Sequence, residues 1–426
     1  MIELRIALLL TGNELMRGDT VDSNSARIAR SLAAQGFDIA CKVTVGDDLT
    51  LLQEELARLA ANYPAVIVNG GLGPTRDDLT AEVLARVQGE ALVENSDALA
   101  HLQQWCKQRG FALNQANRKQ AQLPASAKVL ANPVGSAVGF YLRHGNCLVL
   151  ATPGVPGELE AMLAGDVPRV LYEQFPAAES RYIRRLKLFG IGESTLQQKI
   201  DDMQASWPVE VELGFRAGAP LLEVKLEVAA REHLALRDAC EAMLRSVTGD
   251  YIIGDDDVTL AQLVVQALGA AGKKLTLAES CTGGAIAAQI TSVAGASEVF
   301  EAGFVTYANR IKHALLGVDD DVLARYGAVS EPVALAMAHG ALRASAADYA
   351  IAVTGIAGPG GGTEDKPVGT VWIAWGSAAS MGAARFCYPV SRAMFQTMVP
   401  AIALDLLRRE LAGRRSVPDY YRLERK

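Results

Sequence analysis

Hydrophobic residues over positions 2–92 follow two alternating patterns. Short continuous apolar runs predict buried strands, and apolar residues spaced three or four apart predict helices that bury one face. Strands and helices in alternation, joined by short connections, predict a doubly wound parallel sheet with helices on both faces. The predicted strands are Ile6–Leu10, Phe37–Val45, Ala65–Asn69 and a later Leu148–Leu150; the predicted helices are Ser23–Gln35, Leu49–Ala61 and two that begin at Asp77 and Glu158.

A different pattern covers residues 171–253, where the predicted elements make a small α+β domain. We interpret this domain as a spacer or a dimerisation module. The polar stretch Gly254–Asp257 is expected to form a hinge after it. The predicted elements are a strand Arg184–Phe189, a helix Ser194–Met203, two strands around Arg216–Gly218 and a helix Glu232–Val247.

The pattern from residue 258 to 412 again predicts an α/β domain. It begins with a helix at Leu260–Ala270 and ends with an amphipathic helix at Phe395–Leu411. With a first domain at residues 1–170, this makes three domains, which suits a chain of 426 residues. Residues 413–426 form a basic, aromatic tail to which we assign no function.

The composition excludes several classes of protein. A net charge of −7 gives no basic field for nucleic acid or an anionic membrane, and the apolar run Ile6–Leu10 is too short to span a bilayer. The six cysteines include no Cys-x-x-Cys pair and the five histidines show no metal-ligand spacing. We therefore expect a cytoplasmic protein whose partners are small molecules, with neither nucleic acid nor membrane among them.

The segment Lys274–Gly284 carries the most distinctive candidate chemistry. The β-favouring run Leu275–Leu277 predicts a strand that delivers Ser280 to its end, and Thr282, Gly283 and Gly284 are expected to open the next helix. A hydroxyl at that point can attack an electrophile, and free N–H groups of the helix start can hold an oxyanion or a phosphate.

A nucleophilic serine needs a base, and Lys312 is the candidate because no histidine is suitably placed. Asn309 is expected to be a helix N-cap, which puts Lys312 in the first turn, where the helix dipole and burial both lower the pKa of an amine. Tyr307 is expected to relay the proton or to orient the serine, and His313 to be structural. Taken alone, Lys312 is more typical of a solvated helix lysine; beside Ser280 and the glycine-rich loop, a functional role is favoured.

Residues 354–371 form a loop dense in glycine, which lets the backbone approach a ligand and turn N–H groups toward an anion. An ordinary surface loop has the same composition, and the missing Gly-Lys-Ser/Thr ending separates it from a P-loop. Lys366 and Arg392 are candidate phosphate partners. Serine, lysine and this loop together predict a hydrolase of a small phosphorylated amide.

The segments AESCTGG, VTYANRIKHALLGV and VTGIAGPGGGTEDKPVGTVWIA resemble the carboxy-terminal domain of the competence/damage-inducible protein A family, which stand-alone nicotinamide-nucleotide amidases share. The resemblance implies metal-free hydrolysis of nicotinamide mononucleotide to nicotinic acid mononucleotide and ammonia. It places the nucleophile on Ser280, with the tyrosine and lysine on Tyr307 and Lys312. The family's second arginine is replaced by Gln396. Together with the residues argued from the sequence itself, the predicted substrate-binding residues are Thr282, Gly283, Gly284, Thr354, Gly355, Gly358, Gly360, Lys366, Gly369 and Arg392.

TGNELMRGDTVDSNSARIA, GGLGPTRDDLTAE and TPGVPGELEAM resemble the same family's molybdopterin-binding-like first domain, and KLFGIGESTLQQKI its middle domain. The resemblance implies a homodimer and a metal-dependent ADP-ribose pyrophosphatase. Asp77 and Asp78 are candidate ligands for a divalent cation, although aspartates before a helix also serve as caps. Asn13 replaces the aspartate usual in the family. The expected nucleotide site comprises Glu14, Asn24, Gly70, Gly71, Gly73 and Thr75.

Two other functions remain open at this point. One is a nucleotide- or pterin-binding scaffold that acts through protein partners, with the amino-terminal activity lost. The other is a molybdopterin transferase, which rests on fold alone. Retention of Ser280, Tyr307 and Lys312 together favours the enzyme, because a binding protein needs neither nucleophile nor base.

Overall fold

The computed structural model describes residues 5–33, 35–176, 182–202, 207–414 and 416–418. The chain divides into two compact units, Met1–Ile183 with Val228–Leu234 and Arg184–Glu227 with Ala235–Lys426. The three-domain boundaries stay a prediction. Residues 415 and 419–426 of the expected basic tail, and Met203 at the end of one expected helix, lie outside the described residues.

The amino-terminal unit contains a six-stranded sheet and a two-stranded one. Its strands are β1 Arg5–Thr11, β2 Asp38–Val45, β3 Ala65–Asn69, β4 Leu92–Glu94, β5 Gln122–Pro124, β6 Lys128–Leu130, β7 Gly139–His144 and β8 Cys147–Thr152. Its helices are α1 Asn13–Arg17, α2 Asn24–Ala33, α3 Leu49–Asn62, α4 Thr80–Gln88, α5 Ser96–Arg109, α6 Gln115–Arg118, α7 Pro156–Leu163 and α8 Asp166–Gln174.

The large sheet has the order β2-β1-β3-β8-β7-β6. Its first four strands are parallel, and β7 and β6 extend it with antiparallel pairs. Buried side chains form one core on each face of the sheet, as the doubly wound prediction requires. The helix expected from Asp77 is wrong in its start, because α4 begins at Thr80 and the aspartates precede it in the loop.

The second unit contains two sheets, of which the smaller has the order β10-β11-β9-β12. The hairpin between β10 and β11 turns at Ala219-Pro220, and the expected turn at Arg216–Gly218 is part of a strand. The elements of this α+β part are β9 Tyr182–Phe189, α9 Glu193–Asp201, β10 Glu212–Gly218, β11 Leu221–Val228, α10 Leu234–Thr248 and β12 Ile252–Asp255.

The larger sheet of this unit is five-stranded, with the order β14-β13-β15-β16-β17. Strand β13 runs parallel to both neighbours, and β16 and β17 are antiparallel. The elements are α11 Leu260–Ala271, β13 Leu275–Glu279, α12 Ala285–Thr291, β14 Phe300–Val305, α13 Asn309–Leu316, α14 Asp320–Tyr326, α15 Glu331–Ser345, β15 Tyr349–Gly355, β16 Thr370–Ser377, β17 Ser380–Cys387 and α16 Arg392–Leu411.

Helix α16 corrects the amphipathic prediction. All nine residues from Val399 to Leu407 are buried, because α16 contacts α11 and α12 as well as the sheet. Even Asp405 is buried, where its carboxylate accepts hydrogen bonds from Arg408 and Arg409. Within the described residues, no helix combines the length and apolar character needed to cross a membrane.

Candidate active site

Ser280 follows the last residue of β13, in the turn that leads to α12. Its N–H donates to the Val353 carbonyl of β15 at 3.1 Å, so the serine backbone remains tied to the sheet. Gly283 and Gly284 then adopt φ values of +64° and +98°, which allow the chain to enter the helix at Ala285, five residues after the serine. Only 8% of Ser280 is exposed.

The start of α12 is occupied by the buried carboxylate of Glu279. Its two oxygens accept the N–H groups of Gly284 at 3.0 Å, Ile286 at 3.2 Å and Ala287 at 2.8 Å. The prediction that these N–H groups are free for an oxyanion or phosphate is therefore wrong. The N–H groups of Cys281 and Thr282 are outside this set, and they donate to no backbone carbonyl of the described residues.

Lys312 lies directly against Ser280. Its Nζ is 2.9 Å from Ser280 Oγ and 2.7 Å from the Thr306 carbonyl oxygen, with the Tyr307 carbonyl oxygen at 3.5 Å. The N-cap of α13 is Ala308, so the prediction of an Asn309 cap is wrong by one residue, and Lys312 still lies in the first turn.

Burial controls the protonation of Lys312, which is 1% exposed. Desolvation lowers the pKa of its amine below the ordinary value, and the Coulombic effect of the Cys281 thiol opposes that shift only in part. A neutral amine fits the contacts well, since two N–H groups reach the two carbonyl oxygens and the lone pair can accept the Ser280 hydroxyl. The arrangement is that of a nucleophile with its general base.

Cys281 is a second potential nucleophile next to Ser280, and its burial disfavours that role. Burial raises the pKa of its thiol to about 12, so the thiol stays protonated and unreactive at neutral pH. Gln396, at the position of the family's second arginine, donates to the Cys281 carbonyl at 3.3 Å and so supports the turn from α16.

A cavity of about 210 Å³ opens onto the serine–lysine pair. Among the predicted residues, it brings together Ser280, Tyr307, Lys312, Thr354, Gly355 and Arg392. The remaining lining residues, which sequence reasoning did not assign to the site, are Cys281, Asn309, Ala328, Val329 and Ala357. Asn309 was recognisable as a polar residue beside Lys312, but the wall at Ala328 carries no chemical signal in the sequence.

Several predicted substrate-binding residues lie outside this lining. Lys366 donates to the Tyr326 carbonyl at 2.8 Å, and Gly369 packs against the backbone of Tyr388, where a Cβ has no room. Gly358 takes part through its carbonyl, which accepts from Arg392. The other predicted residues absent from the lining are Thr282, Gly283, Gly284 and Gly360.

The amino-terminal unit has its own cavity, of about 370 Å³, at the carboxyl ends of β1, β3 and β8. Asn24 is not in its lining. It donates to Asn69 and to the carbonyl of Gly154, which is a lining residue, and thereby fixes the position of that residue. Asp47, Gln120 and Glu158 are lining residues that the sequence did not single out. The predicted residues that line it are Glu14, Gly70, Gly71, Gly73, Asp77 and Asp78.

The carboxylates of this cavity are engaged with their own loops. Asp78 accepts from both the N–H and the hydroxyl of Thr75, and hydrogen bonding to Thr75 lowers the pKa of Asp77. Asn13 donates its N–H to Asp47, which also accepts from Thr11. No group of three or more His, Cys, Asp or Glu side chains in the described part of the chain is arranged to hold a metal ion. The residues present therefore do not make a metal site by themselves.

Comparisons with known proteins give a family match for each half of the chain. Residues 257–411 match the family described as CinA C-terminal domain, and residues 7–171 match the Probable molybdopterin binding domain. A CinA-like protein of Colwellia psychrerythraea is 48% identical over 419 residues, which cover 98% of this chain and 97% of the relative. A Shewanella oneidensis protein named Nicotinamide-nucleotide amidohydrolase PncC is 36% identical over 423 residues, which cover 99% of each chain.

Among solved structures, the competence/damage inducible protein CihA of Agrobacterium tumefaciens is 42% identical, with a TM-score of 0.35; the match covers 36% of this chain and 93% of that one. The full-length relatives carry the assignment, because they extend over nearly the whole chain at well above 30% identity. The chain belongs to the CinA-like protein family.

Proposed function

We propose that this protein hydrolyses the carboxamide of nicotinamide mononucleotide and releases nicotinic acid mononucleotide and ammonia. The contact of 2.9 Å between Lys312 Nζ and Ser280 Oγ, in a buried setting that favours a neutral amine, carries the proposal. The name of the Shewanella oneidensis relative supports the substrate class. A cavity of about 210 Å³ suits a pyridine ring with its amide directed at the serine.

The reaction follows from these contacts. Lys312 takes the hydroxyl proton as Ser280 Oγ attacks the amide carbon, and the N–H of Cys281 is a candidate donor to the oxyanion. The C–N bond then breaks, and Lys312 returns the proton to the leaving nitrogen, which departs as ammonia. Water attacks the resulting ester as Lys312 takes a proton from that water. The C–O bond to Ser280 then breaks, Lys312 returns the proton to Oγ, and the carboxylic acid leaves.

Ammonia release from nicotinamide mononucleotide by the purified chain tests this proposal. We expect Ser280→Ala to lower the rate by about 10³-fold or more, because the covalent route is lost. Ser292→Ala, an exposed serine at the end of α12, is the matched control and should keep the wild-type rate. Equal rates from the wild type and Ser280→Ala would end the serine mechanism.

For the amino-terminal cavity we propose nucleotide binding, with ADP-ribose hydrolysis as the reaction to be tested. Its support is the position of Gly70–Gly73 beyond the end of β3, where open α/β sheets bind ligands. Asp77 and Asp78 are the residues that would hold a divalent cation, the substrate would have to complete the ligand set, and the cation would supply positive charge to stabilise the pyrophosphate. Incubation with ADP-ribose and Mg²⁺ or Mn²⁺, comparing Asp78→Ala with Asp97→Ala on α5, decides whether Asp78 matters.

The alternative of a nucleotide- or pterin-binding scaffold predicts binding without turnover in either cavity. Calorimetry with nicotinamide mononucleotide, run beside the ammonia assay, separates the two. Homodimerisation and a cytoplasmic location stay predictions.

A further inference from the structure

Tyr307 lines the Ser280–Lys312 cavity, and its hydroxyl is hydrogen-bonded to Arg392. Its side chain is among the more exposed aromatic groups, at 62%. The hydroxyl accepts a hydrogen bond from Arg392 Nη2 at 3.1 Å. Lys312 reaches Ser280 directly, so proton transfer between them requires no phenol.

Arg392 is held at two points. Nη1 donates to the Gly358 carbonyl at 2.9 Å, while Nη2 donates to Tyr307. These bonds use two of the five N–H donors of a guanidinium and leave three. No carboxylate of the described residues forms an ion pair with this cation, and its side chain lines the cavity. A fixed guanidinium with free donors is suited to a phosphate.

We propose that Tyr307 is a positioning residue for phosphate recognition: its hydroxyl holds the guanidinium of Arg392 in place for the phosphate of the substrate. The proposal rests on the proposed function for its substrate, and it changes the role expected for Tyr307 from proton relay to anion recognition. The contacts that carry it are the Tyr307–Arg392 and Arg392–Gly358 hydrogen bonds beside an unpaired charge.

Kinetics on two substrates test this role, because nicotinamide riboside has the same amide without the phosphate. For nicotinamide mononucleotide, we expect Tyr307→Phe to raise KM by about tenfold with kcat within about twofold, and Arg392→Met to lower kcat/KM by about 100-fold. The loss of kcat/KM in each variant should be much smaller for the riboside than for the mononucleotide, because the riboside has no phosphate for Arg392 to bind. Tyr307→Phe should add little in the Arg392→Met background, since both act through one contact.

Matched controls are Tyr326→Phe and Arg325→Met, two exposed residues of α14 that do not line the cavity. A proton relay predicts a different result: Tyr307→Phe would lower kcat equally for both substrates. That outcome would overturn the positioning role and leave the amidase proposal standing.

A binding measurement keeps the inference separate from turnover. Inorganic phosphate is titrated by calorimetry into the full chain carrying Ser280→Ala, alone and combined with each variant. We expect Tyr307→Phe to weaken phosphate binding by about tenfold and Arg392→Met to abolish it. Equal phosphate affinity in all three proteins would overturn the inference, whether or not the wild type releases ammonia.

Discussion

The two cavities of this protein both lie at the carboxyl ends of parallel strands, and they differ in how their charged groups are satisfied. In the carboxy-terminal cavity, Lys312 is buried against Ser280 without an acidic partner, so its environment favours the neutral, reactive form. In the amino-terminal cavity, carboxylates such as Asp47 and Asp78 accept hydrogen bonds from neighbouring loop residues. A buried group whose pKa is shifted toward the neutral form is typical of a reactive site. A carboxylate whose hydrogen bonds are all made within its own loops is equally consistent with a structural role.

Glu279 shows the same distinction inside the carboxy-terminal site. It is as buried as Lys312, but three N–H groups satisfy it, so it shapes the turn and stays outside the proposed chemistry. Burial alone therefore does not identify the reactive residue. The number and type of its hydrogen-bond partners do.

Replacement of Lys312 gives the largest expected effect. Lys312→Met and Lys312→Arg should each lower ammonia release by about 10³-fold, because methionine accepts no proton and arginine stays charged. Lys273→Met, on an exposed lysine, is the control. Substantial activity in Lys312→Arg would show that a charged group at this position suffices for hydrolysis. The contrast drawn between a neutral Lys312 and the hydrogen-bonded carboxylates of the other cavity would then be wrong.

Replacement of Glu279 should reduce stability. Glu279→Ala leaves the N–H groups of Gly284, Ile286 and Ala287 without their acceptor, and we expect the free energy of unfolding to fall by about 3 kcal/mol. Urea denaturation measures this, with Glu301→Ala on the exposed face of β14 as control. A loss no larger than the control's would mean that α12 needs no carboxylate at its start.

The pH dependence of the rate should follow Lys312. Because burial lowers its pKa, kcat/KM should rise about tenfold per pH unit below that pKa and level off before the ordinary value of about 10.4. Between the two pKa values the unfolded chain binds more protons at this residue, so wild-type stability should rise with pH relative to Lys312→Met. A rate that does not change between about pH 6 and 10 contradicts this assignment.

Replacement of Asp47 gives the smallest expected effect. Asp47→Asn weakens the hydrogen bonds from Thr11 and Asn13, and thermal denaturation should show a loss of about 1 kcal/mol. Ammonia release should stay at the wild-type rate, with Asp48→Asn, the N-cap of α3, as a structural comparison. A large fall in ammonia release would show that the two cavities are not chemically independent.

Much of the molecule could be predicted from contiguous residues. The alternating patterns identified the strands that carry both cavities, and Ala65–Asn69 was predicted at its observed bounds. Helix α16 was misjudged because a helix covered by α11, α12 and a sheet loses its polar face, and that covering depends on distant segments. The start of α4 was misjudged because aspartates favour both a helix cap and a loop.

Residue types and their order determined the family and the α/β fold and pointed to Ser280 and Lys312 as the candidate pair, since these inferences depend on local periodicity and motif. Only the tertiary structure decided which groups meet. Ser280 and Lys312 are 32 residues apart in the chain, and their contact requires β13, β14 and α13 to assemble. The filling of the α12 start by Glu279 and the pairing of Tyr307 with Arg392 were decided there as well, because desolvation and hydrogen-bond competition depend on packing between segments far apart in sequence.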